Sequence, residues 1–135
     1  MPADLDRRVA ALRRSSIFAE LDEAFLARLA GTMNEVELPA GHVLIEARTP
    51  GAGLYVIEEG TVAVQPLSGD ARELGPGEVV GEIALLTPDG TRTARVQAKT
   101  EVRCLTLDRS SFRRALEKEP PLAAALLEIV AERLS

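Results

Sequence analysis

Cysteine is almost missing from this chain. Cys104 stands alone, so no internal disulfide can form. That fits a reducing compartment, and a cytoplasmic location is expected. Histidine is as scarce: His42 is the single one, and one His with one Cys supplies too few ligands for a zinc site. No metal or cofactor is therefore expected. Tryptophan is absent, and the aromatics are Phe18, Phe25, Tyr55 and Phe112 alone, so the core must be built mostly from Leu, Val, Ile and Ala. No apolar run reaches the length of a membrane span. The opening stretch "MPADLDRRVAALRR" is amphipathic and contains acids, unlike a signal peptide. An excess of positive charge is also lacking. The net charge of −5 argues against a general nucleic-acid surface, which needs a basic stripe to displace counterions. The pairs Arg13-Arg14 and Arg113-Arg114 read as solvated helix faces. There is no Gly-x-Ser-x-Gly elbow, no Walker loop and no histidine beside a nucleophile, so an enzyme is not expected.

What is present suits one domain: 135 residues, 46% of them hydrophobic, suffice for a real core. Three zones follow one another. Residues 1–33 read as helical, with Leu5, Val9 and Leu12 at helical spacing and a second stripe at Phe25, Leu26 and Leu29. Asp22 is the expected N-cap of that second helix. "SSIF" between them reads as a joint, with Ile17 and Phe18 plugging into the core. From 34 to 108 the period becomes two. "EVEL", "HVLI", "LYVIEE" and "TVAV" are short and β-rich, bounded by turns at 39–41, 50–53, 59–60, 68–70 and 75–77. Many short strands at near-regular spacing predict a barrel or roll rather than βα units. "TARVQAKT" alternates, with Ala94, Val96 and Ala98 on one face and Arg95, Gln97 and Lys99 on the other. "VRCLTL" is expected as its hairpin partner, with Cys104 a small core residue. Helices return over 109–135, where Phe112, Ala115 and Leu116 form a stripe behind a capping aspartate or serine. "PPLAAALLEIVAERL" starts on proline, suited to a first turn, and is apolar around more than one stripe. Such a helix needs two surfaces to pack against: the roll on one side, a ligand or second copy on the other. It stops at "AERLS" mid-pattern, as expected of a module cut from a longer polypeptide.

The run "GEIALLTPDGTRTARV", residues 81–96, carries the chemistry. Gly81 lets the backbone turn tightly and approach a ligand. Residues 83–86 have helix-forming character, and a short helix there would aim free N–H groups at a small anion. Arg92 would return to the same spot with a planar, always charged guanidinium, suited to two-point contact with phosphate. Thr93 adds a hydroxyl. Glu82 adds a carboxylate that can accept from a sugar hydroxyl. Taken singly, Arg92 reads as a surface arginine beside Asp89; in register with Gly81 and Glu82 it reads as an anion ligand.

"GEIALL" followed by "RTA" resembles the phosphate-binding cassette of cyclic nucleotide-binding domains, the cAMP/cGMP receptor family. "LDEAFLARLA", "ELPAGHVLIEARTPGAGLYVIEEGTVAV", "ELGPGEVVGE" and "VRCLTLDRSSFRRALEKEP" resemble the same family in order and spacing. The resemblance covers nearly the whole chain. It implies a mainly β fold with flanking helices: a double-stranded β-helix or jelly-roll-like β-roll of about eight strands, preceded by N-terminal helices and followed by two C-terminal helices. The divisions are an N-terminal segment 1–33, a roll 34–108 with its cassette at 81–93, and hinge and lid helices 109–135. By position, Glu82 resembles the acceptor for the ribose 2′-OH. Gly81, Ile83 and Ala84 belong to the phosphate-facing stretch, Arg92 resembles the arginine on the cyclic phosphate, and Thr93 the hydroxyl beside it. Leu127, Val130 and Leu134 are the lid candidates. The implied ligand is cAMP, with cGMP second. The implied role is a sensor that signals through its terminal helix, as a homodimer or fused to an effector. Two positions depart from the family. Thr91 stands where a proline is common, and Arg95 where Thr or Ser is common. Alternation places Arg95 outside the roll. The alternative is a degenerate domain of the same family that serves as a dimerisation or interaction module.

Overall fold

The computed structural model describes residues 2–15, 17–19, 21–45, 53–66, 69–81 and 94–134, apart from the side chains of 2–4, 125, 126, 129, 130 and 132–134. Two helices lead, α1 (Pro2–Arg14) and α2 (Glu23–Thr32). Eight strands follow among the described residues: β1 (Asn34–Leu38), β2 (Val43–Ile45), β3 (Gly53–Glu59), β4 (Val62–Pro66), β5 (Arg72–Leu74), β6 (Val79–Val80), β7 (Ala94–Ala98) and β8 (Val102–Asp108). Helices α3 (Arg109–Lys118) and α4 (Pro120–Leu134) close the chain. The strands form two four-stranded antiparallel sheets, ordered β1-β8-β3-β6 and β2-β7-β4-β5. The fold is the mainly β roll with flanking helices that the resemblance implied.

The expected hairpin between "TARVQAKT" and "VRCLTL" does not form. β7 pairs with β2 and β4, whereas β8 pairs with β1 and β3. The reason lies in the two patterns. β7 has one apolar face, Val96 and Ala98, and a polar one, so it fits a sheet open to water on one side. β8 is apolar on both faces. Val102 and Cys104 point into the roll, while Leu105 and Leu107 point at the helices. Only the sheet with helices on its back can bury both.

Two cores result, one on each side of that sheet. Inside the roll, Ile45, Ile57, Val62, Val64, Val80, Val96, Val102 and Cys104 pack together. Behind it, Leu54, Val56, Val79, Leu105 and Leu107 meet Leu12, Ile17, Phe18, Leu26, Phe112 and Leu122 from the helices. Ile17 and Phe18 are fully buried, as the joint reading required. Fully burying such side chains contributes about 1.5–3 kcal/mol each. Ser15, itself buried, accepts hydrogen bonds at its Oγ from the N–H of Ile17 (3.2 Å) and Phe18 (3.4 Å), which satisfies backbone donors in that dry corner.

Caps and carbonyls fix the helices. Asp108 caps α3, accepting from the Ser111 N–H at 2.8 Å and the Ser110 hydroxyl at 3.0 Å, and these bonds hold its carboxyl below the ordinary value. Asp22 sits at the N-cap of α2 without a side-chain bond; only its backbone carbonyl engages, accepting from Leu26 N–H. Arg13 does more than face solvent. It donates to the carbonyls of Ala19 (3.1 Å) and Leu21 (2.8 Å), tying the end of α1 to the joint. Arg8 donates to Ala30 and Met33 carbonyls at the end of α2.

The β5–β6 turn meets α1 through a glycine. Gly77 has φ 89°, and a Cβ there would stand 2.7 Å from the Arg14 carbonyl oxygen. Gly77→Ala combines a left-handed cost of about 1–2 kcal/mol with that collision. The expected result is a urea midpoint lowered further than that of Gly69→Ala, which shares the left-handed φ (103°) but whose added carbon meets nothing nearer than 3.9 Å, so that the difference reports the collision.

The helix-facing side of β3 also carries Glu58, 2% exposed. It pairs with Arg7 of α1 at 2.8 Å. Arg7 also reaches Glu35 of β1 at 2.6 Å, and Arg103 of β8 reaches Glu59 at 2.5 Å. Arg103 Nε lies 3.7 Å from Glu58, an ion pair too long for a hydrogen bond. Burial is the largest influence on Glu58 and raises its pKa above 4.5, reinforced by Glu35 and opposed by the two arginines. For Glu35 burial is again the largest single influence, yet the bonds from Arg7 and Glu58 and the arginine charges together prevail and lower its pKa. The two acids act oppositely on stability. Folded Glu58 holds a proton longer than unfolded, so its contribution declines as pH rises above 4.5 through its folded value. Glu35 contributes above its unfolded value and loses that as pH falls. Glu58→Gln should abolish the decline on the alkaline side while leaving the acid limb, as read by urea midpoints across about pH 4 to 8.

Candidate ligand-binding site

Strand direction decides at which end of the roll residues 81 and 94 lie. The short turns at 39–42, 60–61, 75–78 and 99–101 all lie at one end of the roll, because each joins a strand that ends there to one that starts there. The opposite end therefore receives the end of β6 and the start of β7. Val80 pairs with Tyr55 in one sheet, and Ala94 pairs with Pro66 in the other. Residues 81 and 94 are thus the two roots of the cassette, one in each wall of the roll.

Gly81 takes φ 92°, the left-handed region that favours glycine. The chain leaves β6 there by a turn that a side chain would strain. Glu82, Ile83, Ala84, Arg92 and Thr93 lie outside the described residues. At the other root, Ala94 is half-buried, Val96 and Ala98 are buried, and Arg95 is exposed on the outer face, as alternation required. The wall beneath is apolar: Ile45, Val64, Val80 and Val96 are buried, and Leu44, Tyr55 and Leu74 are half-buried beside them. A cavity of about 360 Å³ lies between the edge strands β1 and β2, lined by Val36, Leu38, Leu44, Tyr55 and Thr106 among others. That is at the lower end of volumes for small-molecule sites. His42 is exposed at its margin, and the Tyr55 hydroxyl lies 3.4 Å from the Leu44 carbonyl that accepts from it.

The terminal helix α4 starts at Pro120 and is anchored by Leu122, which is fully buried. Leu127, a turn and more further on, is 68% exposed. The side chains of Val130 and Leu134 lie outside the described residues. The helix is therefore docked at its start and carries a bare leucine where the lid was expected.

No group of three or more metal-ligating side chains comes together among the described residues. No helix among them is long and apolar enough to cross a membrane. Cys104 is buried in the roll, and burial pushes its thiol up to about 12, with the Glu58 charge adding to it. It cannot ionise near neutral pH and is inert as a nucleophile. Sequence reading placed Glu58 in the strand "LYVIEE" but missed it as a buried charge: alternation with Leu54 and Val56 puts it on the helix-facing side, where α1 covers it.

A family model described as the cyclic nucleotide-binding domain matches residues 35–119. A CRP-like cAMP-activated global transcriptional regulator of Mycobacterium tuberculosis is 32% identical over 128 residues, covering 91% of this chain and 57% of the regulator. The chain thus spans little more than half the length of that relative. The crystallised N-terminal domain of a transcriptional regulator from Streptomyces coelicolor is 41% identical, with a TM-score of 0.70 over 92% of this chain and 89% of that one. The regulatory domain of Toxoplasma gondii PKA, crystallised with cAMP, is 28% identical, with a TM-score of 0.74 over 84% of this chain and 45% of that one.

The buried thiol gives a direct test of the packing inside the roll. Native protein at mildly alkaline pH should leave Cys104 unlabelled by Ellman's reagent, with stoichiometric labelling in denaturant. Rapid labelling of folded protein would mean the roll is open at β8.

Proposed function

The chain belongs to the cyclic nucleotide-binding domain family, and from that premise we propose that it is a sensor module that binds cAMP, with cGMP the weaker ligand, and does no chemistry of its own. The observation that carries this reading is the placement of the cassette roots. Gly81, in its left-handed turn, and Ala94 bracket the sequence "EIALLTPDGTRT" at one end of an apolar roll. In this reading Gly81, Ile83 and Ala84 present backbone to the phosphate. Arg92 neutralises its charge, Thr93 adds a hydroxyl contact, and Glu82 accepts from the ribose. The preference for cAMP is supported by the similarity to the cAMP-activated mycobacterial regulator and to the Toxoplasma gondii regulatory domain crystallised with cAMP.

Signalling would proceed by population shift. A ligand moves the equilibrium only by its difference in affinity for the open and closed forms. The exposed Leu127 on α4, with Val130 and Leu134, supplies an apolar face for closure over the base. The module would work in the cytoplasm, joined to or paired with an effector that the remaining length of its relatives would supply.

The second reading, a degenerate module that only dimerises, draws on two features: Thr91 in place of the family's proline, and the bare Leu127. Dimerisation by light scattering without a thermal shift on adding either nucleotide would favour it.

A charge-assisted phosphate contact is worth about 1.5–3 kcal/mol. Calorimetric titration with cAMP should therefore show Arg92→Ala binding roughly ten- to a hundredfold more weakly than wild type. Equal affinities would remove Arg92 from the site.

A further inference from the structure

A second concave surface lies on the helical side, away from the roll. Helices α2 and α3 enclose a cleft of about 310 Å³. Its floor is Phe25, Leu29 and Ala115, each at least nine-tenths buried. Its rim is cationic: Arg28 from α2, and Arg114 and Lys118 from α3. Glu119 is the acid at its end. The Arg28 guanidinium sits 5.8 Å from the centroid of the Phe25 ring, which holds it over the floor.

The cleft is locally cationic although the molecule is acidic. The chain carries a net charge of −5. Several other cations are engaged: Arg7 and Arg103 hold carboxylates, Lys99 pairs with Glu73, and Arg8 and Arg13 serve carbonyls. Arg28, Arg114 and Lys118 meet no carboxylate at ion-pair distance among the described residues; Arg114 donates only to Ser111 Oγ, at 3.3 Å. Three cations with no carboxylate at ion-pair distance among the described residues, Arg114 acting on Asp108 only through space and Glu119 standing at the end, surround an apolar floor and form a surface complementary to an anionic, amphipathic partner.

We propose that this cleft docks an acidic amphipathic helix of a partner protein, one apolar side chain on the floor and carboxylates on the rim. Arg114 and Lys118 stand at i and i+4 on one face of α3, so their spacing matches carboxylates at i and i+4 of a second helix. An anionic bilayer fits less well. The cleft is concave with its apolar atoms recessed, and the molecule's overall negative charge is repelled by an anionic surface. Nucleic acid fits less well for the same charge reason. This inference is independent of nucleotide binding and stands or falls without it.

The test uses the full chain and a fluorescein-labelled synthetic helical peptide with one leucine between glutamates at i and i+4. Anisotropy at low salt should show saturable binding that weakens as salt is raised. The double variant Arg114→Glu/Lys118→Glu should weaken binding at least tenfold, and Arg114→Gln/Lys118→Gln should weaken it less. A peptide with serine for the leucine should also lose affinity. Arg72→Glu on β5 should have no effect. Amide shifts on titration should cluster at Phe25, Leu29 and Ala115. Circular dichroism melts of each variant separate lost binding from lost folding. No binding, equal affinity for folded charge-reversed protein, or shifts mapping elsewhere would overturn the proposal. So would sedimentation with phosphatidylserine vesicles that depends on these residues while the peptide fails to bind, which would make the partner a membrane. Salt-sensitive self-association lost in the same variants, again without peptide binding, would make the occupant a second copy and overturn it too.

Discussion

Strands β3, β6 and β8 of the sheet β1-β8-β3-β6 are buried on both faces, and the placement of every other part depends on that double burial. One face closes the roll with Ile57, Val80, Val102 and Cys104; the other carries Leu54, Val56, Val79, Leu105 and Leu107 into the helices. A sheet with a single apolar face would leave the helices without a platform. The opposing sheet β2-β7-β4-β5 has the simpler task, with Val62, Val64, Val96 and Ala98 inward and Arg95 in water. The two residues that flank the segment 82–93 belong to these unlike walls, Gly81 at the end of β6 in the doubly packed sheet and Ala94 at the start of β7 in the singly packed one.

The same burial explains the ionic cluster at the seam with α1. A strand residue facing the helices has little access to water, and Glu58 occupies such a position. A lone carboxylate there would be costly. Arg7 arrives from α1 to share itself between Glu58 and Glu35, and Arg103 closes the other side beside Glu59. Ion pairs of this kind add less net stability than apolar packing and more definition of geometry. Here they set where α1 lies on the sheet, alongside the close approach of Gly77 to the Arg14 carbonyl.

Most of the architecture was legible from periodicity. The strand-rich middle, the buried joint at Ile17 and Phe18, the stripe on α2 and the outward Arg95 all follow from spacing and turn residues. Pairing was not legible. Adjacency suggested a β7–β8 hairpin, whereas the difference between a one-faced and a two-faced strand was the better guide to which sheet each joins. Glu58 was invisible because its burial comes from α1, a segment more than forty residues earlier, at a sequence separation of 51 from Arg7. The cleft between α2 and α3 was equally hidden: Arg28 and Arg114 are ordinary helix-surface residues until the two helices are brought side by side. The cassette was legible as a motif, through glycine, glutamate and arginine in sequence; of it, the described residues include Gly81, with Ala94 next beyond its other end.

The first and last strands of the roll are neighbours. Asn34 faces Thr106 across the β1–β8 ladder, 72 residues away along the chain. Loop closure over such a distance is slow relative to local contacts. During synthesis β1 emerges early and must wait, its hydrogen-bonding edge unpaired, until the ribosome has released β8. Helix α3, which packs on the back of β8, comes later still. Biogenesis is thus all-or-none toward its end: a nascent chain halted before β8 lacks the strand at the middle of the sheet and holds β1 and β3 apart with nothing between them.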